Sequence, residues 1–214
     1  MKLIGERSLL GHVLDRTRRV KRKCSIVIAT TERTIDDPIV EFADKEGIKY
    51  FRGSLDDVSG RALACSDYFG FDSFVRICGD RPFLEPTLID ILLKRFKYDN
   101  LDLATNALKK TYPTGLMTEV VSVASLRQAM SETDEPEDHE HVTRYFYRKP
   151  DKFKIWNLES TAMEYKTINL AVDTIEDFKR TKWIVEQLGS NAMKTSLSEL
   201  VQLALDWERT IASS

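Results

Sequence analysis

The apolar positions of the chain fall into two spacings. Leu9, Leu10, Val13, Leu14 and Val20 recur at helical steps with Arg16, Arg18 and Arg19 between them. That pattern predicts an amphipathic helix from about Ser8 to Lys21. "CSIVIATT" (Cys24–Thr31) is a short β-branched run and predicts a buried strand. "DDPIVEFADKEG" (Asp36–Gly47) opens on an aspartate cap, carries Pro38 in its first turn and stops at glycine, so it predicts a helix. "IKYFRG" predicts a strand, Asp56–Tyr68 a helix and "SFVRIC" another buried strand. Pro86–Lys97 predicts a helix turning Leu88, Ile89, Leu92, Leu93 and Phe96 inward.

From Leu101 the pattern is less regular. "LDLATN" and "TEVVSV" (Thr118–Val123) read as strands, the second followed by a helix through Met130. Ser131–His141 is a charged loop leading into a helix through Arg148, and "KFKIWNL" alternates as a strand does. Two helices close the chain. The last carries a core stripe of Leu197, Leu200, Val201, Ala204, Leu205 and Ile211. Alternating strands and helices predict an α/β fold with a parallel sheet covered on both faces. No repeat or linker divides the chain, so 1–214 is expected to be one domain.

Composition narrows the function classes. The chain has 214 residues, 42% hydrophobic and 31% charged, enough for a sizeable core. A net charge of −2 gives no support for nucleic-acid or anionic-membrane affinity. The basic run Asp15–Lys23 reads as a solvated helix face. No apolar run approaches the ~20 residues of a membrane span, and no signal-peptide pattern follows Met1. Cys24, Cys65 and Cys78 are too few and too scattered for a disulfide framework or a zinc site. They read as buried, reduced thiols of a cytoplasmic protein.

Candidate chemistry gathers at the strand ends, where open α/β sheets bind ligands. Thr30-Thr31, Arg52-Gly53-Ser54 and Gly79-Asp80 each follow an apolar run. Asp80 alone reads as a turn former before Pro82. A second run, "NLAVDTIEDFKR" (Asn169–Arg180), ends in Asp173 and opens a helix. Asp173 or Thr174 can cap that helix, with Glu176 or Asp177 reaching back. If Thr174 caps, Asp173 points into the cleft beside Asp80, and two carboxylates are what Mg²⁺ takes from a protein. Arg76, inside a strand, needs a partner, and a carboxylate is the expected one. His139 reads as a surface residue.

The ordered set "IVIATT", "DDPIVEFADKEGIKYFRGSLDDV", "VRICGDRPFLEP", "TYPTGLMTEVVS", "HEHVTRYF" and "AVDTIEDF" resembles the acylneuraminate cytidylyltransferase family, in its spore-coat-polysaccharide branch. The resemblance covers nearly the whole chain. It implies a nucleotide-diphospho-sugar-transferase fold: Rossmann-like, three-layered, with a mainly parallel mixed sheet. It implies transfer of CMP from CTP to an acidic or amino sugar for surface polysaccharide, with Mg²⁺ on Asp80 and Asp173. Arg7, Thr30, Thr31, Arg52, Asp57 and Arg61 match the nucleotide side. Tyr112, Gly115, Glu119 and His141 match the sugar side, and His141 reads equally well as a solvated or capping residue. "DDVSGR" departs from the usual "DDVL.R", and Ser59-Gly60 are expected to loosen the helix start there.

The family normally opens with a central strand and an Arg/Gly/Ser/Pro-rich loop ending in Lys. "KLIGERSLLGHVL" matches the stretch after that loop, so the resemblance places Met1 beyond it, with Arg7 at the position of a customary Lys. The expectation is a chain truncated at its N-terminus relative to the family, with two strands lacking a shared partner and little turnover. A longer natural chain, another closure of the sheet and a degenerate copy all fit, as does a homodimer. Besides the enzyme, two other readings stand: a non-catalytic sugar- or nucleotide-binding homologue, and a metal-dependent glycosyltransferase. The last ordinarily places two acids after one strand, and "GDRP" offers one.

Overall fold

A hairpin of β1 (Leu3–Ile4) and β2 (Arg7–Ser8) turns at Gly5 and leads directly into α1 (Leu9–Thr17). The Ser8 hydroxyl accepts from the Gly11 N–H at 3.0 Å and so caps that helix. The computed structural model describes residues 2–192 and 194–212. The helix ends at Arg18, short of the expected Lys21.

Alternation then follows. β3 (Val27–Thr31), α2 (Asp37–Glu46), β4 (Lys49–Gly53), α3 (Val58–Phe69), β5 (Ser73–Arg76) and α4 (Pro86–Asp99) come in turn. Gly47 ends α2 in the left-handed conformation, at φ 66°, as its place after the periodic run predicts. Next come β6 (Leu103–Thr105), β7 (Glu119–Ser122) and α5 (Val123–Ser131). The charged segment expected to be a loop contains a short helix, α6 (Pro136–Glu140), followed by α7 (Arg144–Arg148). β8 (Ile155–Asn157), α8 (Ile175–Leu188) and α9 (Leu197–Ala212) complete the chain.

The fold is α/β with a mixed sheet in two blocks. β3 and β4 pair in parallel, while the second block runs β5-β7-β6-β8, with β7 antiparallel to both neighbours and β6 parallel to β8. Register sorts the second block into three rows. Phe74, Val121, Leu103 and Ile155 form one and pack with α3, α5 and α7. Val75, Val120, Ala104 and Trp156 form the next, pack with α4, and so face the other way. This is the period-2 alternation of a sheet covered on both faces. The third row, Arg76, Glu119, Thr105 and Asn157, is polar and returns to the first face.

α1 ties the blocks together. Its Val13 packs with Leu84 and Ile89, and its buried Arg16 donates to the carbonyls of Leu84 at 3.1 Å and Ala192 at 3.0 Å. Burial pulls the Arg16 guanidinium down to about 10. Toward the other block, Arg7 and Arg18 both bind Glu46 at the end of α2.

Three expectations need correction. Val27 and Ile28 of β3 and the run Phe74–Ile77 are only half-buried, with Ala29 exposed, because each strand is paired along one edge. Cys24 is exposed and Cys78 half-buried, leaving Cys65 as the buried thiol. In α9, Leu200, Val201 and Ala204 are buried, but Ile211 is 54% exposed because the helix runs past the core there. Among the described residues, no helix is long and apolar enough to cross a membrane.

Candidate functional site

Asp80 lies four residues beyond β5, and the chain before α8 passes beside it: the Val172 N–H donates to the Asp80 carbonyl at 3.0 Å. Asp173 is therefore next in sequence to a residue bonded to Asp80. The α8 cap is built from Thr174 and Asp177, each side chain bonded to the other's backbone N–H. Asp177 is the buried partner. Burial works against its charge, but Thr174 and Arg180 outweigh that and hold its carboxyl below the usual range. With the cap satisfied this way, the exposed Asp173 carboxylate has no protein partner among the described residues.

Asp80 has an oxygen to spare as well. Its Oδ1 is buried without a hydrogen bond, and the nearest cation is the Arg81 Nε at 3.9 Å. A buried carboxylate oxygen left unpaired is costly unless something binds it. Among the described residues no three His, Cys, Asp or Glu side chains cluster into a protein-only metal cage. Two carboxylates completed by phosphate oxygens and water suit Mg²⁺, so this donor set fits that ion. Beside Asp173 opens a cavity of about 470 Å³, walled by Leu9 and Leu10 of α1, Ile39 of α2, Gly79 and Phe178.

The expected nucleotide residues gather on the β3–β4 block. Thr30 and Thr31 are buried at the end of β3, and the Thr31 hydroxyl donates to Asp36. Arg52 braces that turn with three bonds: Nε to the Thr31 carbonyl at 2.8 Å, Nη1 to Asp37 at 2.7 Å and Nη2 to the Arg33 carbonyl at 2.8 Å. Arg61 packs on Gly53 and donates to the Ser54 carbonyl. Asp57 caps α3 by accepting from the Gly60 N–H at 2.7 Å, and it also meets His139 Nδ1 at 3.1 Å. Ser59-Gly60 therefore do not loosen the helix. A Cβ on Gly60 would lie 2.0 Å from Asp57 Oδ2, and the Ser59 hydroxyl donates to the Asp138 carbonyl, so both residues tighten it. Arg7 stands apart from this group. Its fork grips Asp15 at 2.8 and 2.7 Å and Glu46 at 2.6 Å, which raises its pKa.

The expected sugar-side residues divide. Tyr112 is buried among Phe83, Leu88 and Leu170, and burial raises its pKa. Gly115, at φ 95°, sits where the loop after β6 meets the chain leading to Asp173. His141 is exposed at the end of α6. Glu119 is 3% exposed, and its carboxylate accepts from Arg76 Nη1 at 2.8 Å, Thr143 Oγ1 at 2.6 Å and Tyr147 OH at 2.5 Å. Burial works against the Arg76 charge, and Glu119 more than restores it. Burial and Glu119 both push the Tyr147 hydroxyl well up, so it stays a donor.

Sequence reasoning expected a carboxylate for Arg76 but missed Thr143 and Tyr147. The signal available was the four-residue spacing of Thr143 and Tyr147, which puts both hydroxyls on one side of α7, with Thr143 just before it. It also missed buried Asp138, held by Thr133 at 2.8 Å, Arg144 at 2.6 Å and Arg148 at 2.7 Å.

The cytidylyltransferase family model matches residues 1–209. The uncharacterized protein MJ1063 of Methanocaldococcus jannaschii is 35% identical over 177 residues, covering 82% of this chain and 72% of that protein. The spore coat polysaccharide biosynthesis protein SpsF of Bacillus subtilis is 30% identical over 213 residues, covering 95% and 85%. A solved cytidylyltransferase from Leptospira borgpetersenii superposes with a TM-score of 0.90 at 28% identity, over 97% of this chain and 87% of that one.

Proposed function

The chain belongs to the cytidylyltransferase family, and we propose that it transfers CMP from CTP to a sugar hydroxyl with Mg²⁺ held by Asp80 and Asp173. The observation that carries this reading is the buried Asp80 oxygen without a hydrogen bond, with Asp173 directly after Val172, whose N–H donates to the Asp80 carbonyl. The ion would neutralise phosphate charge as it builds on the leaving group. The acceptor hydroxyl oxygen forms a bond to the α-phosphorus of CTP. The bond from that phosphorus to the bridging oxygen breaks, pyrophosphate leaves, and the hydroxyl proton passes to solvent.

The protein's part is to bind and align. Arg52 fixes the turn that presents Thr30 and Thr31 to the nucleotide, while Asp57 and Arg61 shape the start of α3. Tyr112 and Gly115 wall the acceptor side, with His141 at its rim. Arg7 holds α1 to α2 in this reading, because Asp15 and Glu46 occupy its fork. The likeness to SpsF supports a role in surface polysaccharide synthesis. Calorimetry with CTP and Mg²⁺, followed by a pyrophosphate-release assay with a sugar panel, tests the proposal. Binding and release together support it. Binding without release from any sugar favours a non-catalytic sugar-nucleotide binder, and absence of CTP binding overturns both.

A further inference from the structure

Asp173 stands on irregular backbone. The stretch 170–173 belongs to no strand, so its shape is set by what its N–H groups meet. We propose that Asp177, braced by Arg180 and Asn169, is a positioning residue that sets the Asp173 carboxylate for the divalent cation shared with Asp80. The inference rests on the reading of Asp80 and Asp173 as metal ligands and adds the group that keeps one of them in place.

Each N–H from Leu170 to Thr174 has an acceptor. Leu170 donates to the Thr114 carbonyl at 2.7 Å, and Val172 to the Asp80 carbonyl at 3.0 Å. The other three go to two side chains. Ala171 donates to Asn169 Oδ1 at 2.9 Å, while Asp173 and Thr174 both donate to Asp177 Oδ2, at 3.2 and 2.9 Å. A capping box needs only the bond from Thr174. The bond from Asp173 is additional, and it pins the backbone of the proposed ligand itself.

The other Asp177 oxygen is held from behind. Oδ1 pairs with Arg180 Nη2 at 2.8 Å and accepts from Asn169 Nδ2 at 3.3 Å. The same Arg180 nitrogen donates to the Ala171 carbonyl at 3.0 Å. Asp177 and Arg180 are 7% and 8% exposed, so neither is placed to hold an ion or a phosphate directly. Asp173 is exposed and lines the cavity that Gly79 and Phe178 also wall. Buried Asp177 thus holds the backbone, and exposed Asp173 offers its oxygens.

Fold stability alone is a poor reason for this pair. Arg180 Nε is buried without a hydrogen bond, a cost that an apolar side chain would not carry. What Arg180 supplies is direction, because its Nη2 ties Asp177 to Ala171 across the segment. Groups one step behind a metal ligand fix its orientation, and losing one costs about tenfold to a hundredfold in metal affinity.

The test uses the whole chain and Mn²⁺, which takes the same oxygen ligands as Mg²⁺ and is read by electron paramagnetic resonance. The parent, Asp177→Asn and Asn169→Ala are titrated with Mn²⁺, with and without CTP. CTP affinity is measured separately in EDTA. Asparagine keeps the shape of Asp177 but cannot present acceptors on both sides. The expected result is a Mn²⁺ Kd raised about tenfold or more in each folded variant, with more water on the bound ion by proton relaxation and CTP affinity in EDTA within about twofold of the parent's. Mn²⁺ affinity within about twofold of the parent's in folded Asp177→Asn overturns the inference. If that variant does not fold, the same result in Asn169→Ala overturns it. So does an equal loss of CTP affinity in EDTA, the mark of a cleft loosened throughout. A parent that binds no Mn²⁺ overturns the metal assignment and this inference together. A parent that binds Mn²⁺ but no CTP overturns the cytidylyltransferase reading alone, and the variants still decide this inference.

Discussion

Gly115 and Ala171 approach so closely that a Cβ on the glycine would lie 2.5 Å from the Ala171 nitrogen. Thr114 meanwhile exchanges backbone bonds with Ile168 and Leu170, at 2.9 and 2.7 Å. The loop from β6 is thereby laid along the segment that ends in Asp173. Gly115→Ala adds a clash with backbone, which cannot swing aside, and strains a φ of 95°. We expect a loss of more than about 2 kcal/mol in urea unfolding. An unchanged midpoint would mean that the two segments separate freely.

Asp80→Asn and Asp173→Asn are each expected to abolish Mg²⁺-dependent CTP binding and leave the circular dichroism spectrum intact. Neither side chain caps a helix, and the Arg81–Asp80 contact, at 3.9 Å, is a loose ion pair without a hydrogen bond. Binding equal to the parent's in either variant refutes the metal assignment.

Asp138 gives a pH prediction. Burial tends to raise its pKa, but the bonds from Arg144 and Thr133 and the charge of Arg148 outweigh that, and the folded value lies below the unfolded one. Its contribution is then complete above the unfolded value of about 4. As pH falls below that, the unfolded chain takes up the proton first, and stability drops until the folded carboxyl also titrates. Asp177, depressed likewise, adds to the same slope. Asp138→Asn should cost about 1–3 kcal/mol at neutral pH and flatten the acid limb of the stability curve. A variant with the parent's slope would show that another carboxylate carries it.

Thr174→Ala removes the oxygen that accepts from the Asp177 N–H at 3.1 Å. A loss of about 1 kcal/mol is expected from the cap alone. Calorimetric melting measures it, and a parent-like melting temperature would show that Asp177 holds the helix start unaided.

What was legible in the sequence was local. Gly47 announces the end of α2, and Thr174 with Asp177 announces the start of α8, because capping chemistry is settled within a few residues. What escaped depends on partners far along the chain. The exposure of β3 and β5 is set by what pairs with their edges, which apolar composition does not encode. α6 lies in a run of acids whose charge pattern reads as loop. It folds because Asp138 is buried against arginines and is anchored by Ser59, 79 positions earlier. Glu119 looked like a ligand for sugar, yet its three donors come from 24 to 43 positions away.

Arg16 also has a consequence in time. Its guanidinium is shared between the carbonyls of Leu84 and Ala192, and the second lies 176 positions downstream. During synthesis, α1 must wait until the chain reaches Ala192 before its buried cation is fully satisfied. Until then that charge favours water over the interior, which holds the nascent helix off the growing core. Full docking of α1 is therefore expected late, because it joins segments 176 positions apart.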